Sequence, residues 1–157
     1  MNYGESARKW WAEFIKDDFA NIIESRVITA ESPVDFFYHS KSVELLSLFP
    51  IDPQAEFSKF SLVARALVRV TEDVPETLPT LLARPEEDAV DAKSTLLSII
   101  GSRSDQDLDM AIRLAMLGTG RKCNIAALIE DLLFWDEKVI VRWHSEFHAA
   151  DQAEMIL

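Results

Sequence analysis

The sequence predicts an all-α protein built as two small packed helical bundles. Three observations point there. Only four of 157 residues are glycine and the β-branched residues are scattered among Ala, Leu and Glu, which favours helix over sheet. Apolar residues recur at three- and four-residue steps along most of the chain, the spacing of one helix face. Cap residues followed by proline or acid stand where these stripes begin, as at helix starts. The length allows one bundle or two very small ones sharing an interface. Pro75, Pro79 and Pro85, together with a rise in acidic charge, place the division there, giving an N-terminal bundle over 1–84 and a C-terminal bundle over 85–157.

Ser6 is the expected cap of a first helix whose apolar face carries Trp10, Trp11, Phe14, Ile15, Phe19 and Ile22 or Ile23. Residues 26–31 read as a connector. Ser32-Pro33-Val34-Asp35 then predicts a second helix through Phe36, Phe37, Val43, Leu45, Leu46 and Leu48, stopped by Pro50. Asp52-Pro53 opens a third, carrying Phe57, Phe60, Leu62, Val63, Ala64, Leu67 and Val68. The segment between Pro75 and Pro85 reads as a broken helix or a pair of turns. Glu86, Glu87 and Asp88 suit the first turn of a fourth helix, where exposed amides favour negative charge. That helix is expected to bury Val90, Leu96, Leu97, Ile99 and Ile100 and to end at Gly101. Ser104 caps the next, through Leu108, Ile112, Leu114, Ala115, Met116 and Leu117, which Gly118 and Gly120 interrupt. Asn124 caps another, up to Phe134. Trp135-Asp136 marks a bend before a last helix through Val139, Ile140, Trp143 and Phe147.

The formal net charge is -11, and residues 71–107 hold 9 acidic groups against 3 basic ones. So acidic a middle argues against indiscriminate adhesion to nucleic acid, while leaving room for a local basic stripe. No apolar run approaches the ~20 residues needed to cross a bilayer. Residues 1–5 lack the charged and apolar regions of an export signal, so the expected location is the cytoplasm. Cys123 is the single cysteine and can form no internal disulfide.

Catalytic chemistry finds little footing, and the expectation is no enzyme, no cofactor and no metal. His144 and His148 are four apart, with Glu146 and Asp151 near in sequence. A divalent-metal hydrolase built on them is weaker than the plain reading of polar positions beside a buried Trp143 and Phe147 stripe. His39 has no partners that suggest a triad. Arg121 and Lys122 precede Cys123 and would lower a thiol pKa, yet a structural cysteine is the simpler reading. The run Gly118-Thr119-Gly120-Arg121-Lys122 lacks the order of a phosphate-binding loop and reads better as a connector with two basic side chains. The pairs Glu130-Asp131 and Asp136-Glu137 are adjacent and so do not share a helix face; they read as solubilising. Trp10-Trp11 and Phe36-Phe37 offer stacking platforms for bases, though core spacing argues that at least one of each pair is buried.

The C-terminal third carries a more specific pattern. Leu128, Asp131, Leu132, Leu133 and Trp135, then Arg142, Trp143 and Phe147, with Arg113 one helix earlier, resemble the CasB family, whose closing pattern reads LLxDLLxW followed by RWxxxF/Y. Trp10-Trp11, Arg26 and the helix with Ala64-Arg65-Ala66-Leu67 agree more loosely. The resemblance implies a non-catalytic small subunit of the type I-E CRISPR surveillance complex, Cascade, acting in antiviral defence. Its implied partners are other Cascade subunits, a second copy of itself, the CRISPR guide RNA and target DNA. Arg26 stands alone where the family carries an arginine pair, and the chain is more acidic than such a subunit usually is.

On this reading Arg26, Lys59, Arg65 and Arg69 are the expected phosphate contacts of the N-terminal half, and Arg113, Arg121, Lys122 and Arg142 those of the C-terminal half. Arg113 and Arg142 have an alternative in pairing with Glu130, Asp131 or Glu146. Trp135, Trp143 and Phe147 are expected to be structural and buried. The rival reading is an acidic inhibitor that imitates nucleic acid and occupies a basic groove of another protein, motivated by residues 71–107.

Overall fold

A computed structural model describes residues 2–85 and 91–156, without the side chains of 154–156. The expected first turn at Glu86, Glu87 and Asp88, and burial of Val90, lie outside the described residues. Among those described the chain forms nine α-helices: α1 Tyr3–Phe14, α2 Ala20–Thr29, α3 Ser40–Leu45, α4 Phe57–Arg69, α5 Leu78–Leu82, α6 Ala92–Ile100, α7 Asp105–Gly118, α8 Ile125–Leu133 and α9 Glu137–Ile156. Two two-residue strands, β1 Glu72–Asp73 and β2 Lys122–Cys123, pair in parallel.

Several helix ends are where the capping chemistry puts them. Ser104 Oγ accepts the Asp107 N–H at 3.1 Å, Asn124 Oδ1 accepts the Ala127 N–H at 3.1 Å, and Gly101 closes α6. Asp136 Oδ1 takes the Val139 N–H at 3.0 Å at the bend before α9. Each satisfies an amide that the first helical turn leaves unpaired.

The N-terminal region departs from the periodic reading. Asn2, not Ser6, caps α1, its Oδ1 accepting the Glu5 N–H at 3.0 Å. The single long apolar face breaks at residues 15–19, where Asp17 Oδ1 accepts the Phe19 N–H at 2.8 Å and turns the chain. Trp10, Trp11, Phe14 and Ile23 are therefore buried, whereas Ile15, Phe19 and Ile22 face outward. Residues 26–29, expected in a connector, continue α2.

The Ser32 device starts only a 3-10 turn, Pro33–Phe36, in which Asp35 Oδ2 takes the N–H groups of Glu31 and Ser32. Helix resumes at α3, capped by His39 Nδ1 accepting the Lys41 N–H at 3.0 Å. Asp52 likewise closes a turn, over Gln54 and Ala55, ahead of α4 rather than capping it. In the C-terminal half Leu97 is exposed instead of buried and Ile100 is half-buried, while Leu114 and Leu117 on α7 face outward.

Two clearly separate small bundles are not what the packing presents. Helix α1 lies on α8, α4 on both α7 and α8, and α5 on α9, so the extensive contacts cross the expected division. One cluster of buried side chains draws on all nine helices. The β1–β2 pair adds a backbone link between the two halves: Thr71 N–H donates to Arg121 O at 2.8 Å and Asn124 N–H to Glu76 O at 2.9 Å.

The backbones of α1 and α8 come together at Gly4. A Cβ built there would stand 2.3 Å from the backbone oxygen of Ala126, and backbone cannot rotate aside as a side chain can. Its N–H donates to Glu130 Oε1 at 2.8 Å, so Glu130 is a helix-joining acceptor rather than a solubilising charge. Gly4→Ala is expected to cost about 1–3 kcal/mol through forced separation of the helices, read as a lower urea midpoint at unchanged slope.

Candidate nucleic-acid interface

The basic residues expected to meet phosphate divide by what already holds them. Arg65 and Arg69 leave α4 on the side that faces α7, where Asp109 receives both. Arg69 Nη1 stands 2.9 Å from Asp109 Oδ1 and Arg65 Nη1 stands 3.1 Å from Asp109 Oδ2. Arg65 Nη2 also donates to Ala30 O at 3.3 Å. Arg69 is 8% and Asp109 9% exposed. Burial pulls the Arg69 guanidinium below its ordinary pKa and the Asp109 carboxylate opposes that, as expected for a desolvated charge kept by its partner.

Arg121 is a clip rather than a free contact. Its backbone sits at φ 60°, in the left-handed region, directly after Gly120 at φ 68°. Its N–H reaches Met116 O at 2.8 Å and its Nε reaches Arg69 O at 2.6 Å, while Nη2 pairs with Glu24 on α2. The connector expected from Gly118 to Lys122 is thus tied down at three places. Lys122 Nζ lies 4.0 Å from Glu72 across the strand pair.

Arg142 takes the alternative pairing. It donates to Asp131, with Glu146 Oε1 3.7 Å from its Nε, and the Asp131 hydrogen bond holds its guanidinium above its ordinary pKa. The other Asp131 oxygen accepts the Trp143 indole N–H at 2.7 Å. Asp131 is buried, so it too is structural and not solubilising. Trp143 and Phe147 are each 1% exposed, and Trp135 is half-buried, its ring edge-on to Trp143 at 5.1 Å.

Three of the eight basic positions keep their charge toward solvent or only partly covered. Arg113 on α7 is exposed and Lys59 on α4 is half-buried; neither makes an ion pair among the described residues. Arg26 on α2 is exposed and lies 4.9 Å over the Tyr38 ring, a cation–π contact. Arg26 and Tyr38 line a depression of about 370 Å³ with Thr29, Glu31, Val34 and Asp35. Of the paired aromatics, Trp10, Trp11 and Phe36 are buried and Phe37 points outward. Phe37 is therefore the member of the two pairs that the fold leaves accessible.

Sequence reasoning did not single out Asp109, Glu24 or Arg8. Arg8 bridges α1 to the strand pair, with Nη2 2.8 Å from Asn124 Oδ1 and Nε 2.7 Å from Asp73 Oδ2. Asp109 carried a readable signal: it lies between Leu108 and Ile112 on the core stripe of α7, where an acid needs a buried partner, and Arg65 and Arg69 are spaced i, i+4 to supply one.

The candidate nucleophile is buried. Burial, then the charge of Asp73, pushes the Cys123 thiol far above its ordinary pKa. The basic neighbours in sequence do not activate it. Among the described residues no three His, Cys, Asp or Glu side chains come together as metal ligands, and no described helix is long and apolar enough to cross a membrane. No family model, curated protein or solved structure matches the chain.

Proposed function

We propose that the protein is a non-catalytic small subunit of a type I-E CRISPR RNA-guided surveillance complex, acting in the cytoplasm to stabilise guide RNA and target DNA strands in antiviral defence. The observation that carries this reading is the spatial unity of the residues behind the CasB resemblance. Asp131 joins Arg142 to Trp143, Trp135 packs edge-on against Trp143, and Leu128, Leu132, Leu133 and Phe147 fill the core around them. The residues that carry the resemblance thus share one structural unit, and that supports the reading. Other Cascade subunits, a second copy of the chain, the guide RNA and target DNA are the proposed partners. The division into 1–84 and 85–157 belongs to the same proposal, as two helix groups that an assembly could grip separately.

Arg26, Lys59 and Arg113 are the contacts best suited to phosphate, since each can approach a strand without breaking an internal ion pair. Arg69 and Arg121 are poor probes of binding, because their removal would disturb the fold first. Loss of all three outward cations is expected to weaken target binding by a reconstituted complex. The slope of log affinity against log salt should fall by up to about three, near one per phosphate lost. Melting of the isolated chain should not change. Unchanged affinity and slope would reject this contact set.

A second reading has its own support. Five of the eight expected contacts, Arg65, Arg69, Lys122, Arg121 and Arg142, face internal carboxylates, on a chain of net charge -11. That charge balance favours an acidic mimic of nucleic acid docked in a basic groove. Under this reading the triple variant binds its partner at least as tightly as the parent, and partner affinity falls when surface acids are neutralised.

A further inference from the structure

We propose that His144 and His148 form a two-imidazole chelate for a divalent transition metal on the outer face of α9. They stand one helical turn apart, with their Nε2 atoms 3.1 Å from each other and ring centroids 4.2 Å apart. An i, i+4 pair shares a helix face, and here the two Nε2 atoms already stand at the separation that one shared ion requires. A metal bound at about 2.0–2.1 Å from each nitrogen needs them about 2.9 Å apart at a right angle and about 3.3 Å apart in a tetrahedron. The observed separation falls between, so side-chain adjustment of a few tenths of an ångström suffices.

The backbone that carries the pair is held in place. Trp143 and Phe147, each one residue before a histidine, are buried, and the Phe147 ring meets the His148 ring edge-on at 5.4 Å. The chelate is therefore largely organised before the ion arrives, which removes part of the ordering cost of binding. A bound metal takes the Nε2 lone pair of each ring, so in the complex any ring hydrogen sits on Nδ1.

Imidazole ligands suit nickel, copper and zinc, with copper the tightest of the three for a given nitrogen site. The net charge of -11 raises the local concentration of cations. Since no third side chain of the described residues completes the set, the remaining positions stay open to water or to an oxygen donor from another molecule. That chemistry is of a docking metal, distinct from the closed four-ligand sites that hold folds together.

Isothermal titration of the full chain, free of any histidine tag, with Ni²⁺ in a non-coordinating buffer tests this. The expected result is one ion per chain, with His144→Ala and His148→Ala each lowering the affinity at least about tenfold, to a similar weak level. The double variant should be little worse than either single one, because a chelate is lost with its first arm. H148A/A149H keeps two histidines but moves one off the shared face, and should bind no better than His148→Ala. His39→Asn should leave Ni²⁺ binding intact. Wild-type affinity in both single variants, restoration of binding in H148A/A149H, or loss of binding in His39→Asn would each overturn the proposal.

Discussion

Asp109→Ala is expected to destabilise the protein by about 3–5 kcal/mol, among the largest effects open to a single substitution. The cost lies less in the lost attraction than in what remains. Arg69 is almost wholly buried and would keep its charge without a partner, the costliest way to break a buried pair. Arg65 would lose the same carboxylate, and its own charge together with that of Arg113 already disfavours the charged Arg69. Urea unfolding monitored by far-UV circular dichroism measures the loss. Replacing the pair together, as Arg69→Met with Asp109→Leu, should recover much of it, since similar volume returns without a stranded charge. A single-variant cost below about 1 kcal/mol would mean that water reaches Arg69 and that α4 and α7 are not closed over it.

Trp143→Ala should be comparably damaging, at about 3–5 kcal/mol, from lost apolar burial and the cavity left beside Asp131 and Trp135. Trp143→Phe separates the contributions. It keeps most of the packing and removes the indole N–H that Asp131 accepts, so its cost should fall to about 1.5–3 kcal/mol, the range for one hydrogen bond to a charged acceptor. Thermal melts of both variants provide the comparison. Full wild-type stability of Trp143→Ala, coupled with weakened strand binding, would instead make Trp143 a stacking surface and not a core residue.

These two predictions rest on contacts of different visibility in the sequence. The α8–α9 unit was legible because its signals are local: Asn124 announces a helix start, Asp136 a second one, and Trp143 and Phe147 repeat at helical spacing. Ser104 and Gly101 bounded α7 and α6 for the same reason. The α4–α7 ion cluster was not read, although Asp109 interrupts an apolar stripe, because the fate of a lone acid depends on which helix folds over it. That decision is tertiary. It also decided the arginines: Arg65, Arg69 and Arg121 look like phosphate ligands when only their own helices are considered, and become internal pairs once α2, α4 and α7 meet.

The break at residues 15–19 was hidden by a different effect. The apolar spacing of Ile15, Phe19 and Ile22 continues a helical face with no proline or glycine to stop it, and the stop comes from Asp17 bonding the backbone two residues on. A side chain competing locally with the helix is a weak signal beside a strong hydrophobic period. The three apolar side chains thereby turned outward lie on the same half of the chain as Val34 and Phe37, also exposed. The packing of α1 on α8 had no sequence signal except Gly4, whose need for close approach is visible only when Ala126 is in place.

Co-purification from the native cell asks whether this chain works inside an RNA-guided assembly, as proposed. The endogenous protein, captured under low salt through a small C-terminal tag, is expected to bring with it a guide RNA of CRISPR origin and several CRISPR proteins in fixed proportion. Nuclease treatment should release the RNA without dispersing every protein contact. Recovery of the chain with no guide RNA and no CRISPR protein, or in a stoichiometric pair with a single basic protein, would contradict it, and the second outcome would establish the acidic mimic in its place.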